Sequence, residues 1–240
     1  MHNNSSKWFA DLPSDRLLVE ISLWSADLTR LGEEIDRVDP FADLYHLDVA
    51  DGHFSPYLLI FPDMVAAIRA QTTRPLHVHL MVTDDILIDQ IDQFADAGAN
   101  LISIHAENTN PKKALDHIST RGLIAGVVLQ LDTPVQSVAP YLDQIGMVCL
   151  LGTRIGVKGQ LLDDSATVRM AEAHAMIAEN SVSNRVLLAA DGAIRENTVP
   201  KLRSAGAGTI VMGSLCFQSE DLAKRMDWVR AQKPLSFPHD

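Results

Sequence analysis

Two histidines and two aspartates carry most of the chemistry this sequence offers: His46 and Asp48 in YHLDV, His79 in HVHLM and Asp191 in AADG. Imidazole nitrogen and carboxylate oxygen together form a ligand set suited to one divalent ion such as Zn²⁺, Fe²⁺, Mn²⁺ or Co²⁺, and the residue types do not choose among these. In HLD the two polar residues are two apart, so an extended chain points both to one face. Carboxylates in such a place can also move protons, which makes Asp48 and Asp191 candidate acid–base groups as well as ligands.

Each of the four sits at the C-terminal end of an apolar run of strand character. Such runs recur at 17–23, 44–49, 75–81, 101–106, 123–130, 145–151, 185–190 and 208–212. Helix candidates lie between them. One spans 84–97, with Ile86, Ile88, Ile91 and Phe94 read as its apolar face and Gly98 as its stop. Others span 164–180, 195–205 before Gly206, and about 220–231. Eight strands alternating with eight helices, without a break in composition, predict a single-domain (β/α)8 TIM barrel over 16–232, with an open doubly wound sheet as the alternative. Residues 1–15 read as a polar surface tail and 233–240 as a C-terminal tail. In a barrel the reaction centre forms where the strands end, so strands 2, 3 and 7 would bring the four residues to one rim.

Composition narrows the partners. The chain is 47% hydrophobic, enough to bury a full core, and its net charge is −11, which argues against nucleic acid or an anionic membrane as a partner. A small phosphorylated ligand stays open, because backbone N–H groups hold phosphate whatever the overall charge. No apolar run approaches the ~20 residues a membrane span needs, and the first fifteen residues lack a signal pattern. Cys149 and Cys216 lie in apolar runs and read as buried reduced thiols, as in a cytoplasmic protein.

Each motif has a plainer reading. Asp51 and Gly52 read simply as a turn. His77, deeper in its strand than His79, reads as a core histidine. His105 reads as a supporting or structural group rather than a ligand. His46 and Asp48 resist the plain reading, because two inward polar groups in a buried strand need a partner. Gly213 and Ser214 after strand 8, and the loop GTRIGVKGQ (152–160), read as candidate phosphate-binding turns, each weak alone.

Taken in order, ISLWSADL (21–28), HLDVADGHFSP (46–56), HVHLMV (77–82), DAGANLISIHAEN (96–108), GVVLQLDTPV (126–135), GQ (159–160), ADGAI (190–194) and VMGSLCF (211–217) resemble the ribulose-phosphate 3-epimerase family of pentose- and hexulose-phosphate epimerases. The resemblance implies that His46, Asp48, His79 and Asp191 hold one divalent metal ion and that Asp48 and Asp191 are the catalytic pair. It implies substrate contacts from Ser22, His79, Met81, Gly156, Gly192, Gly213 and Ser214; Lys158 is a further candidate. The expected partner is a small-molecule sugar phosphate, and the expected assembly a homo-oligomer, dimer or hexamer. Departures from the family pattern are Ala50 and Leu151 where methionines are usual, Tyr57 for Asn, Ala193 for Gly, and the loop RIGVKGQ (154–160).

The implied reaction is epimerisation next to a ketose carbonyl, with two aspartates working on opposite faces of a metal-stabilised enediolate. Ribulose 5-phosphate is the default substrate. Allulose 6-phosphate or an unusual tetrulose or pentulose phosphate is the alternative, since Ala50 frees side-chain volume. A metal-dependent sugar-phosphate lyase is disfavoured, because no strand carries the lysine such chemistry commonly uses. A non-catalytic sugar-phosphate binder is disfavoured because all four ligand candidates are present.

Overall fold

Along the strands, apolar side chains alternate between two packing environments. Val148 and Leu150 join the large cluster that packs against helices, while Met147, Cys149 and Leu151 join a smaller one. Leu188 and Ala190 alternate with Leu187 and Ala189 in the same way. This is the period of a pleated strand buried on both faces, and it separates the barrel interior from the layer beneath the helices.

In the computed structural model, which describes residues 7–157, 159–180 and 184–234, the strands pair in parallel and in chain order. They are β1 (Leu18–Ser22), β2 (Leu44–Ala50), β3 (Leu76–Met81), β4 (Leu101–His105), β5 (Ile124–Leu129), β6 (Met147–Leu151), β7 (Leu187–Asp191) and β8 (Thr209–Met212). β1 also pairs with β8, Leu18 opposite Thr209, so the sheet closes and the doubly wound alternative is excluded. The helices are α1 (Lys7–Ala10), α2 (Leu31–Val38), α3 (Pro62–Gln71), α4 (Asp84–Asp96), α5 (Pro111–Thr120), α6 (Ala166–Glu179), α7 (Val199–Ser204), α8 (Ser214–Phe217) and α9 (Leu222–Arg230). Among the described residues no helix is long and apolar enough to cross a membrane. Cys149 and Cys216 are both buried and unpaired.

Three details differ from the expectations. Between β5 and β6 the connection is a 3₁₀ helix, Val135–Tyr141, because Pro134 precedes it and Pro140 within it offers no N–H to an α-helical ladder. In α4 the fully buried face is Leu87, Ile91 and Phe94, spaced four and three, while Ile86 and Ile88 flank it half-buried. The segment read as a polar tail is, from Lys7 onward, part of the fold: Phe9 is 5% exposed and packs with Leu18, Leu101, Met147 and Leu187. Arg185 fastens that segment, donating to the carbonyls of Phe9, Leu12 and Pro13 at 3.2, 2.6 and 3.0 Å. The polar stretch before Lys7 hid an aromatic anchor, Phe9 with Trp8 edge-on against it.

Phe9→Ala is therefore expected to lower unfolding free energy by about 3 kcal/mol, read from urea denaturation. A loss near zero would return the segment to the status of a tail.

Candidate active site

On β2, Tyr45, Leu47 and Val49 belong to the layer beneath the helices, so His46 and Asp48 between them face the barrel interior. On β3, Leu76, Val78 and Leu80 leave His77 and His79 facing inward by the same alternation. Parallel register sets these residues level with one another: His46 opposite Ser22 and His77, Asp48 opposite His79. Asp191 ends β7 across the interior.

The four expected ligands converge. One atom from each of His46, Asp48, His79 and Asp191 lies within 4.8 Å of the others. His46 turns Nε2 and His79 turns Nδ1 to the common point, 3.3 and 3.4 Å from Asp48 Oδ1 and 3.8 and 3.9 Å from Asp191 Oδ2. Neither nitrogen has a hydrogen-bond partner, and both are buried. Ligand atoms around a tetrahedral ion bonded at its usual lengths stand about 3.4 Å apart. Orphaned nitrogens, two carboxylate oxygens and this spacing fit a divalent cation.

The rings are fixed from behind. A carboxylate only accepts, so His105 Nδ1–H donates to Glu107 at 2.9 Å and leaves His105 Nε2 as an acceptor. His79 Nε2–H then donates to His105 Nε2 at 2.9 Å, which leaves the His79 Nδ1 lone pair facing the site. His105 thus has the supporting place expected of it. Behind His46 stands Glu20 of β1, fully buried, within 3.2 Å of its Nδ1. His77 is the satisfied core histidine expected, bonded to Glu20 at 2.6 Å and to Ser103 at 2.8 Å.

Electrostatics splits the two aspartates. Burial works to raise the Asp48 carboxyl, but His46 and His79 outweigh it and bring it well below the carboxylate range. For Asp191 burial prevails, and Asp48 and Glu20 add to it against the imidazoles, so its carboxyl is raised. In the metal-free protein burial also opposes a charge on His46, yet Asp48, Glu20 and Asp191 raise its pKa well above the ordinary imidazole value; a bound cation would take the place of that proton on Nε2.

Above the four lies a cavity of about 190 Å³, lined by Ser22, Asp48, His79, Met81, Gly156, Asp191, Gly192, Gly213 and Ser214 among others. Every described residue expected to contact substrate is therefore at one place; Lys158 lies outside the described residues. Ser22 donates its hydroxyl to Asp48 Oδ2 at 3.0 Å. Gly156 has φ +68°, and a Cβ there would collide with Ser55 and Pro56, so glycine lets the loop after β6 seat against the loop after β2. Of the departures, Leu151 lines the cavity, Tyr57 stacks edge-on against Trp24, and Ala193 lines it with φ +53°, a conformation L-residues seldom adopt.

Sequence reasoning missed Glu20, Arg154 and Arg195. Both arginines line the cavity, and Arg195 ties the loop after β7 to that after β6 through the Gly159 and Gln160 carbonyls at 3.3 and 2.8 Å. The sequence reading singles out Lys158 in the loop after β6 but neither arginine, since a charged loop residue is ordinarily solvated. Glu20 did give a signal, as a lone acid in an apolar strand two residues before Ser22.

Fold and site together define a (β/α)8-barrel enzyme with its reaction centre at the C-terminal ends of the strands. A family model described as the ribulose-phosphate 3-epimerase family matches residues 18–217. The chain is 36% identical over 214 residues to a ribulose-phosphate 3-epimerase of Bacillus subtilis, covering 88% of this chain and 97% of the relative. It is 31% identical to a chloroplastic ribulose-5-phosphate-3-epimerase of Arabidopsis thaliana, covering 90% and 77%. This chain belongs to the ribulose-phosphate 3-epimerase family and is an isomerase of the carbohydrate-epimerase type. A solved 3-hexulose-6-phosphate synthase (TM-score 0.64, 18% identity, 91% of this chain and 99% of that one) shares the fold. So does an orotidine 5'-phosphate decarboxylase from Pyrococcus horikoshii OT3 (0.64, 13%, 88% and 97%). At those identities the likeness concerns fold alone.

The Glu107 side chain gives a pH test. Burial opposes its ionised form, but bonds from His105, Thr133 and the Gln130 amide prevail and bring its pKa from 4.5 to about 2. A depressed carboxyl contributes stability that is complete above the unfolded value and lost as pH falls toward the folded one. Stability of the metal-free protein should therefore fall between pH 4.5 and 2, with Glu107 accounting for on the order of 2 kcal/mol of the loss. Glu107→Gln should flatten denaturation midpoints across that window; an unchanged slope would remove Glu107 as the cause.

Proposed function

We propose that the chain interconverts ribulose 5-phosphate and its C3 epimer, with Asp48 and Asp191 as the proton carriers and His46, Asp48, His79 and Asp191 as ligands of one divalent ion. The observation that carries the reading is the pair of orphaned imidazole nitrogens facing two carboxylates at the floor of the cavity. When bound, the ion would supply Lewis-acid stabilisation of the negative charge that develops on the sugar oxygens.

The remaining work falls to the protein. Asp48 Oδ1 and Asp191 Oδ2 face the imidazoles, which leaves Asp48 Oδ2 and Asp191 Oδ1 to exchange protons with the sugar. Ser22 orients Asp48 Oδ2 through its hydroxyl. One carboxylate takes the C3 proton from one face and the other delivers a proton to the opposite face, inverting the carbon. In the reverse direction they exchange roles. Apolar Met81, Leu151 and Val211 line the same cavity and limit water around the reacting carbon. Gly192, Gly213 and Ser214 bind the phosphate, whose remote binding energy orients the sugar.

A second ketose phosphate, such as allulose 6-phosphate or an unusual tetrulose or pentulose phosphate, is the alternative reading. Leu151 at the cavity wall in place of the family's methionine favours it. A lyase is less favoured, since no lysine is among the described residues that line the cavity. A homo-oligomer belongs to the reading, supported by Leu58 and Phe61, which are 80% and 57% exposed near one another in sequence.

Asp191→Asn is expected to reduce epimerisation by about 10³-fold and to abolish solvent-deuterium incorporation at C3 through its own face, read by mass spectrometry and NMR in D2O. Full activity in that variant would remove Asp191 from the mechanism.

A further inference from the structure

Val19 and Ile21 join the layer beneath the helices, so Glu20 between them points into the barrel interior, where it is 0% exposed. Its Oε1 has no partner. Its Oε2 lies 2.6 Å from His77 Nδ1 and 3.2 Å from His46 Nδ1. An ionised carboxylate only accepts, so both Nδ1 atoms carry the hydrogen. The Ser103 hydroxyl supplies the next link, donating to His77 Nε2 at 2.8 Å, and Gly126 leaves room for it, since a Cβ there would collide with Ser103 Oγ. Serine, histidine and acid stand in the order of a nucleophile relay. All three are fully buried in the barrel, so no substrate reaches them and the chain serves another purpose.

Glu20, His46 and His77 also lie close enough to suggest a second metal centre. Both nitrogens of His77 are engaged and His46 Nδ1 donates to Glu20, so although Glu20 Oε1 is unpartnered the rings offer this cluster no free nitrogen for an ion. What the carboxylate does is leave His46 one orientation: Nδ1–H to Glu20, Nε2 lone pair toward the cavity. Burying a carboxylate costs several kcal/mol unless it is well paired. Filling the barrel alone would be served better by an apolar residue such as the neighbouring interior Leu18.

We propose that Glu20 is a positioning residue for the metal centre, fixing the His46 ring with its Nε2 lone pair aimed at the cation. The inference rests on the metal reading above. Carboxylates behind a ligating imidazole hold its tautomer and raise its basicity, and losing one weakens metal binding by about 10–100-fold.

The test compares the unchanged protein, Glu20→Gln and Ser103→Ala, each stripped of metal and titrated with Zn²⁺ against a competing chelator. Thermal unfolding of each metal-free protein is measured alongside. Glu20→Gln should bind Zn²⁺ about 10–100-fold more weakly, while Ser103→Ala, at the far end of the chain, stays within about threefold. The metal-free midpoint of Glu20→Gln should equal or exceed that of the unchanged protein. Unchanged affinity in Glu20→Gln overturns the proposal, as does an equal loss in Ser103→Ala or a lowered metal-free midpoint, either of which marks a structural role. Failure of the unchanged protein to take up Zn²⁺ overturns the metal reading itself and this inference with it.

Discussion

Two ring nitrogens without partners, walled in beside two acids, constrain everything else in this barrel. His46 Nε2 and His79 Nδ1 are buried without hydrogen bonds, and each lies within 4 Å of the carboxylates of Asp48 and Asp191. Burial, with the charges of Asp48 and Glu20 added to it, pushes Asp191 up, while His46 and His79 pull Asp48 down against its own burial. A divalent cation at their common point would satisfy all four at once. The same charge suits the proposed chemistry, where a proton leaves carbon and negative charge must be accommodated.

Barrel geometry makes the convergence possible. In-register parallel pairing places Ser22, His46 and His77 on one level and Asp48, His79 and Ser103 on the next. Below them Phe9, Leu18, Leu101, Met147 and Leu187 pack the barrel floor. Above them the loops after β6 and β7 close over the cavity and are tied to each other by Arg195. The carboxylates of Glu20 and Glu107 stand outside the reacting set, one behind each imidazole, the second acting through His105. Both rings are thus held by acids that never touch the reacting atoms.

Much of this was legible because interior strands tolerate few polar residues. His46, Asp48 and His79 stood out against Tyr45, Leu47, Val49, Val78 and Leu80 for that reason. The strands were readable as near-continuous apolar runs, the form that burial on both faces demands. Glu20 obeyed the same rule between Val19 and Ile21, yet it lies one layer below the strand ends, where barrel chemistry is sought. Which nitrogen of each histidine turns to the site was not legible, because the tautomer depends on the acid behind the ring, which comes from another strand or loop. Phe9 escaped because two adjacent aromatic residues in a short segment carry no periodicity, and Leu101, Met147 and Leu187, with which it packs, lie far along the chain.

The most direct test of the shared centre is a crystal structure of the protein loaded with Mn²⁺, with the ion located by anomalous scattering. The account predicts one ion per chain, at about 2.0–2.3 Å from His46 Nε2, His79 Nδ1 and a carboxylate oxygen of each of Asp48 and Asp191. An ion bound instead among Glu20, His46 Nδ1 and His77, or no ion between those four side chains at saturating Mn²⁺, would contradict it.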